Sequence, residues 1–242
     1  MLPGELEQAF QRHNQSGEAC EIIEAYEQLV SRTEISHKPF PGEDYGEPNR
    51  IIVNGLIFRQ VLLHRSIQLF EGSVRAAVDE NAYSMTLNVR GHFETTASIG
   101  YFHQRLHSLK KGNISAETLD RDLTVQLLGA RHESISQAPD PINILSQLEY
   151  ADKSVNTSVI GTAAGQYDIL KDSYEYLCEF AHPNFHSNSV VIDLDKSIPE
   201  FRFRHGQAMR DNEFELIRYL LLSAPIFVDL FDQIPALLPS KE

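Results

Sequence analysis

A mainly α-helical bundle of about six or seven helices with a small β-hairpin near the C-terminus is the fold class this sequence predicts. Three observations carry it. Apolar residues recur at the three- and four-residue spacing of a helix face through most of 51–181. Proline and glycine gather between those stretches, most densely at 36–49. Period-two alternation occurs in only two short places, 189–194 and 201–204. A chain of 242 residues, 42% hydrophobic, can bury one substantial core. A single domain over 1–242 is therefore expected, with a helical arm and loop (1–49), a helical core (50–186), and a hairpin with a C-terminal helix (187–242).

The first helix is expected over 18–30, where Cys20, Ile23, Tyr26 and Val30 share a face and glutamates lie between them. The stretch 36–49, SHKPFPGEDYGEPN, has three prolines, two glycines and no usable period, so it should be the longest irregular connection. From 51 to 78 the pattern Ile52, Leu56, Val61, Leu63, Ile67, Phe70, Val74 and Val78 predicts a main bundle helix, with Gly72 as the place for a bend. A second long helix follows over 83–109 and stops at Lys110-Lys111-Gly112-Asn113. Ser115 is a candidate N-cap, with Glu117 in the first turn and Leu119, Leu123, Leu127 and Leu128 behind it, so 115–130 reads as a shorter helix. Pro139 and Pro141 then begin another.

The most strongly patterned helix spans 166–182. Tyr167, Leu170, Tyr174, Leu177, Cys178 and Ala181 make its core face, bordered by Asp168, Asp172, Glu175, Glu179 and His182. Pro183 lacks an N–H and disfavours the α conformation in the residue before it, which places His182 at or just beyond the last turn. A cation is favoured there by the partial negative charge of the helix end, so His182 reads either as a helix cap or as a functional group. The two alternating stretches follow as a hairpin. Asn212 and Glu215 have capping-box spacing ahead of Ile217, Leu220 and Leu221, and Pro225 should kink or end that helix before a short segment at 227–234.

Charge and composition narrow the function classes. Asp and Glu number 34 against 21 Lys and Arg, for a formal net charge of −13, so a phosphate backbone is repelled at long range and RNA gains no support as a partner from net charge. Cys20 and Cys178 have neither disulfide nor metal-ligand spacing and read as small buried hydrophobes in a reducing compartment. The opening residues show no basic-then-apolar pattern, and the longest apolar run, at 219–222, is soon broken by Pro225. The expectation is a soluble, cytoplasmic protein with no membrane partner. No glycine-rich phosphate loop or Gly-x-Ser-x-Gly elbow is present, so neither ATP-driven chemistry nor nucleophilic catalysis is signalled, and no cofactor is expected.

Arg90 and Glu94 lie four residues apart on a face with Leu87, Ala97 and Tyr101, where they can pair along the helix. Desolvated there, the pair needs further partners, and it reads as a structural clamp or as part of a site. Glu179-x-x-His182 has the spacing of one metal-binding element of a helix bundle, and His103 with His107 is an i, i+4 pair. A full bundle site requires two such elements and two further glutamates, and only one is present, so no metal ligand is assigned.

LNVRGHFETTASIGYF at 87–102 and YEYLCEFAHPN at 174–184 resemble paired motifs of a family of bacterial helical proteins. In that family an Arg-x-x-x-Glu helix is followed, many residues later, by a Tyr-x-x-Leu helix ending in His-Pro or His-Gly. Its core is loosely similar to the HEPN superfamily, many of whose members cleave RNA or act in prokaryotic toxin and defence systems. The resemblance covers roughly residues 50–186. HEPN nucleases use an Arg and a His four to six residues apart near a helix terminus. Here that spacing falls at Arg32–His37, on a loop edge, and at Arg59–His64, in mid-helix, which departs from the family pattern.

Brought into one pocket, Arg90, Glu94 and His182 would supply anion binding and general acid–base chemistry, and they form the candidate catalytic set. Three readings stay open: an RNA-acting protein of a defence or stress system, a non-catalytic interaction or scaffold module, and a metal-binding bundle. The free edge of the hairpin makes a homodimer an additional expectation.

Overall fold

The computed structural model describes residues 3–15, 17–35, 47–135, 137–162, 167–193, 200, 202–204 and 206–239. Helices dominate, as the periodicity requires. They are α1 (Pro3–Arg12), α2 (Glu18–Val30), α3 (Glu47–Val78), α4 (Ala82–Lys110), α5 (Ala116–Leu128), α6 (Ile144–Ser154), α7 (Ile169–Ala181), the short α8 (Phe185–Val190) and α9 (Asp211–Phe214), and α10 (Tyr219–Leu237). A two-stranded antiparallel ladder, β1 (Ile192–Asp193) and β2 (Arg202–Phe203), pairs Ile192 with Phe203 and Asp193 with Arg202. The expected loop falls at 36–49. Its residues 36–46 lie outside the described residues, and its last three open α3.

The long helix α4 is the axis of the bundle, packed against α3, α6, α7 and α10. Its position follows from its sequence. Met85, Val89, Phe93, Ala97, Ile99, Phe102 and Leu106 are buried, and small Thr95, Thr96 and Gly100 let neighbours approach from other sides. A methyl group at Gly100 would sit 2.5 Å from the Ala151 Cβ on α6. One hydrophobic cluster runs from Leu6 in α1 to Leu237 in α10 and includes Phe10, Phe70, Phe93, Phe214, Phe227 and Phe231. Truncating one such aromatic to alanine typically costs ~3–5 kcal/mol.

Caps account for several boundaries. Asn81 accepts from the Ser84 N–H at the start of α4, and Ser115 accepts from the Thr118 N–H at the start of α5, as its position predicts. The segment expected to become helical at Pro139 and Pro141 stays extended until Asn143, whose side chain accepts from the Leu145 N–H. Proline disfavours helix in the residue before it, and the cap lies two residues further on. The last helix starts earlier than Asn212 suggests, because the Glu213 carboxylate accepts from the Arg210 N–H at 2.8 Å. Pro225 does not end α10, which runs through Pro225 and Pro235 to Leu237. Both rings are exposed, and the Phe231 carbonyl that Pro235 leaves without its helical donor accepts from Arg59 Nε at 2.9 Å, while Ala224, Phe227, Phe231 and Ile234 hold the buried side.

Further expectations are corrected or refined. Cys20 is exposed and Cys178 half-buried. The stripe of α2 that enters the core is Ala19, Ile22 and Leu29, one residue round from the expected Cys20, Ile23 and Val30. Both stripes have helical spacing, and the packing of α2 on α10 and α3 selects between them. In 189–194, Ser189 and Val190 belong to α8, started by the Asn184 side chain accepting from the Ser187 N–H, so the strand keeps only Ile192 and Asp193 among the described residues. Gly72 lies within one continuous α3 and serves close approach, since a methyl there would meet the Asn88 amide at 2.9 Å.

Candidate functional site

Of the three residues expected to form a site, two meet and one stands apart. Arg90 and Glu94, one turn apart on α4, form an ion pair at 3.1 Å, and α7 brings Tyr174 onto it. Arg90 Nη2 donates to the Tyr174 hydroxyl at 2.8 Å, and that hydroxyl donates to Glu94 Oε1 at 3.3 Å. The Arg90 guanidinium carbon lies 5.1 Å from the Tyr174 ring centre. Burial pushes the Tyr174 hydroxyl pKa up, with the nearby Glu94 adding to the rise and Arg90 opposing it. Burial works against the Arg90 charge, but the Tyr174 hydroxyl and Glu94 hold its pKa above the ordinary value. The result is a closed triangle in which the guanidinium already has its anion. Within the triangle, Arg90 Nε is buried without a hydrogen-bond partner among the described residues.

His182 ends α7 as Pro183 dictates. Its backbone is extended (φ −94°, ψ 151°) and its N–H donates to the Cys178 carbonyl at 3.0 Å. Its ring is exposed and makes no hydrogen bond to Arg90 or Glu94. Eight residues of helix separate it from Tyr174, about 12 Å along the axis at the α-helical rise. The structure therefore does not bring the expected triad into one pocket.

The arginine–histidine spacings do not converge either. Arg59 lies over the Phe231 ring, 3.7 Å from its centre, and donates to the Phe231 carbonyl at 2.9 Å, whereas His64 is exposed and bonds the Glu34 carbonyl. Arg32 pairs with Asp232, and His37 lies outside the described residues. For the metal reading, Glu179 accepts from the Asn184 amide at 2.9 Å, and His103 and His107 stack edge to face. Among the described residues no group of three or more His, Cys, Asp or Glu side chains is placed to hold a metal ion. No described helix is long and apolar enough to cross a membrane.

Sequence reasoning missed several polar centres. His92 is fully buried on α4 between two hydroxyls, Ser66 at 2.7 Å and Ser223 at 2.9 Å, and burial drops its pKa to about 3. His103, beside Ser154 and Gln233, falls to about 4, through burial and then the nearby His107. Asp152 accepts from the Leu170 and Lys171 N–H groups and so tethers the start of α7. Desolvation still lifts its pKa to about 6. Glu213, 2% exposed, receives Arg204 at 2.9 Å and Arg210 at 3.1 Å. The two histidines and Asp152 link residues at least 18 positions apart in the chain, whereas Glu213 gathers arginines nine and three positions away. The one usable signal was histidine and serine at helical spacing within apolar faces.

Two surface features complete the picture. A groove of about 400 Å³ opens between α3, α5 and the segment leading into α6, with Arg65, Glu94 and Gln126 among its polar residues. At the other feature, aromatic rings run in contact from the core to the surface: Phe93, Tyr219, Tyr176, Phe180, His186 and Phe185, with centres 5.3–6.0 Å apart. The outer end is open, with Tyr176 43% and Phe185 70% exposed. None of the family models, curated proteins or solved structures compared with this chain matches it.

Proposed function

We propose that this chain is a non-catalytic helical interaction module that docks a protein partner on the α7–α8 face. The carrying observation is the aromatic run that begins at buried Phe93 and ends exposed at Phe185. Rings held by other rings lose little freedom on binding, and exposed aromatics of this kind are the usual anchors of interfaces. Asp172, Glu175 and Glu179 are exposed on α7 beside Tyr176. The complementary partner is a segment carrying apolar side chains among lysines and arginines, because like charges would otherwise face each other.

The same carboxylates disfavour an RNA strand. The Arg90 charge is taken by Glu94 and Tyr174, and His182 stands about two turns from Tyr174 along the helix. These observations support the interaction reading over the RNA-acting, HEPN-like alternative. The test is an assay on labelled single-stranded RNA with the purified protein, Arg90→Ala and His182→Ala in parallel. All three should give the same background. Cleavage by the unaltered chain that both variants lose would replace the interaction reading with the RNA-acting one. In the binding arm, proteins cross-linked to the unaltered chain in cells should be lost with Phe185→Ser, and their retention would move the interface elsewhere. A second copy of the chain is one partner this experiment can reveal, and native mass spectrometry would count the subunits.

A further inference from the structure

We infer that the groove between α3, α5 and the 141–147 segment is a binding site for a small carboxylate with an apolar body. Its apolar side is built by Phe58 and Leu62, both buried, with Leu127, Ile142 and Ile144. A volume of about 400 Å³ suits a ligand of modest size, and largely apolar walls with a few convergent polar groups are what such sites share.

Which polar groups remain free decides the chemistry. The Gln147 amide is used at both ends, accepting from Ser98 at 2.7 Å and donating to the Ile142 carbonyl at 3.0 Å. Glu94 Oε1 is occupied by Arg90 and Tyr174, so the Glu94 charge is already offset and does not cancel that of Arg65. Gln126 differs, since its Nε2 is buried and has no hydrogen-bond partner among the described residues. Folded proteins rarely leave such a donor unmet, because the lost hydrogen bond to water is not replaced. Arg65 is fixed through one nitrogen, Nε donating to the Thr95 hydroxyl at 3.1 Å, which leaves its two terminal nitrogens without a partner among the described residues. Two free donor groups, one of them a guanidinium, beside an apolar wall select an oxygen anion on an apolar chain. A carboxylate fits the paired donors of a guanidinium. The groove shares no residue with the Tyr176–Phe185 face, so it stands or falls independently of the partner proposed there.

The test is titration of the full chain, methyl-labelled for NMR, with decanoate kept below its micellar concentration, beside decanol and decylamine. Decanoate should saturate, shifting the methyls of Leu62, Leu127 and Ile142, and should bind about tenfold tighter than decanol. Arg65→Met, at an exposed position, should weaken decanoate about tenfold and leave decanol unchanged, while Gln126→Leu should weaken decanoate about threefold. No saturable shift at these methyls, equal affinity for decanoate and decylamine, or full decanoate affinity in Arg65→Met would each overturn the assignment.

Discussion

Arg90–Glu94 and Arg204–Glu213 are both arginine–glutamate pairs at about hydrogen-bond distance, yet they differ in nearly everything that sets their worth. The first is local, one turn apart on α4, with side chains 23% and 30% exposed. The second joins the end of the hairpin to α9 with side chains 9% and 3% exposed. Around it, Arg204 also donates to the Val190 and Ala208 carbonyls, and Arg210 to those of Ser189 and Ile192. Glu213 therefore holds two guanidinium groups that staple α8 and β1 to α9. The pair legible in the sequence is the partly exposed one on a single helix, and the pair that fixes a region of the fold joins two different elements. Spacing rules find charges that share a helix face, whereas burial decides how much a charge matters.

The largest expected effect breaks the buried pair. Glu213→Ala leaves Arg204 buried without its counter-ion and should cost ~3–5 kcal/mol in urea unfolding, with loss of hydrogen-exchange protection in 185–193 first. A cost below ~1 kcal/mol would put the two pairs on the same footing.

A buried polar group with no counter-ion sharpens the contrast next. His92 has its pKa lowered by burial from 6.5 to about 3, and His103 from 6.5 to about 4. The unfolded chain binds those protons more readily, so the stability these residues contribute is complete above about pH 6.5 and is lost as pH falls toward 4 and then 3. Asp152, raised from 3.8 to about 6 by desolvation, acts oppositely. Its contribution is complete below about pH 4 and lost as pH rises through 6. Urea midpoints from pH 4 to 7 should rise more steeply with pH in Asp152→Asn than in the unaltered chain, and less steeply in His92→Leu. Parallel slopes in all three would contradict the burial argument.

Smaller effects are expected at the local pair. Tyr174→Phe removes the hydroxyl that bridges Arg90 and Glu94 and should cost ~0.5–1.5 kcal/mol. His182→Ala, at an exposed helix end, should stay within ~0.5 kcal/mol by the same measurement. If the order of these two were reversed, the imidazole rather than the triangle would be the structural element at this end of α7.

The sequence is read best where structure is local. The bounds of α2 and the near-bounds of α4, the Ser115 cap, and the arrest of α7 at His182 all follow from spacing, capping and the stereochemistry of the residue before proline. It is read worst where tertiary contact chooses between equal local options. Cys20 and Ala19 both sit on helix-spaced stripes of α2, and only the packing partners separate them. The site divides the same way, since Arg90 with Glu94 is visible at i, i+4. Tyr174 as their third partner and the distance to His182 depend on how α7 lies across α4. The free Gln126 amide in the groove had no local pattern at all, because what distinguishes it is the absence of an acceptor.

The contact of Gly100 with Ala151 works as a spacing gauge for this half of the molecule. The two together carry a single methyl, and α6, held at that gap, presents Ser154 to His103 and Asp152 to the start of α7. Adding a second methyl by Gly100→Ala should misalign both tethers, whereas the exchange Gly100→Ala with Ala151→Gly keeps the methyl count constant. The two positions should thus behave as one locus, tolerant of a swap and intolerant of a sum, so a designer widening the neighbouring groove should treat them as a unit.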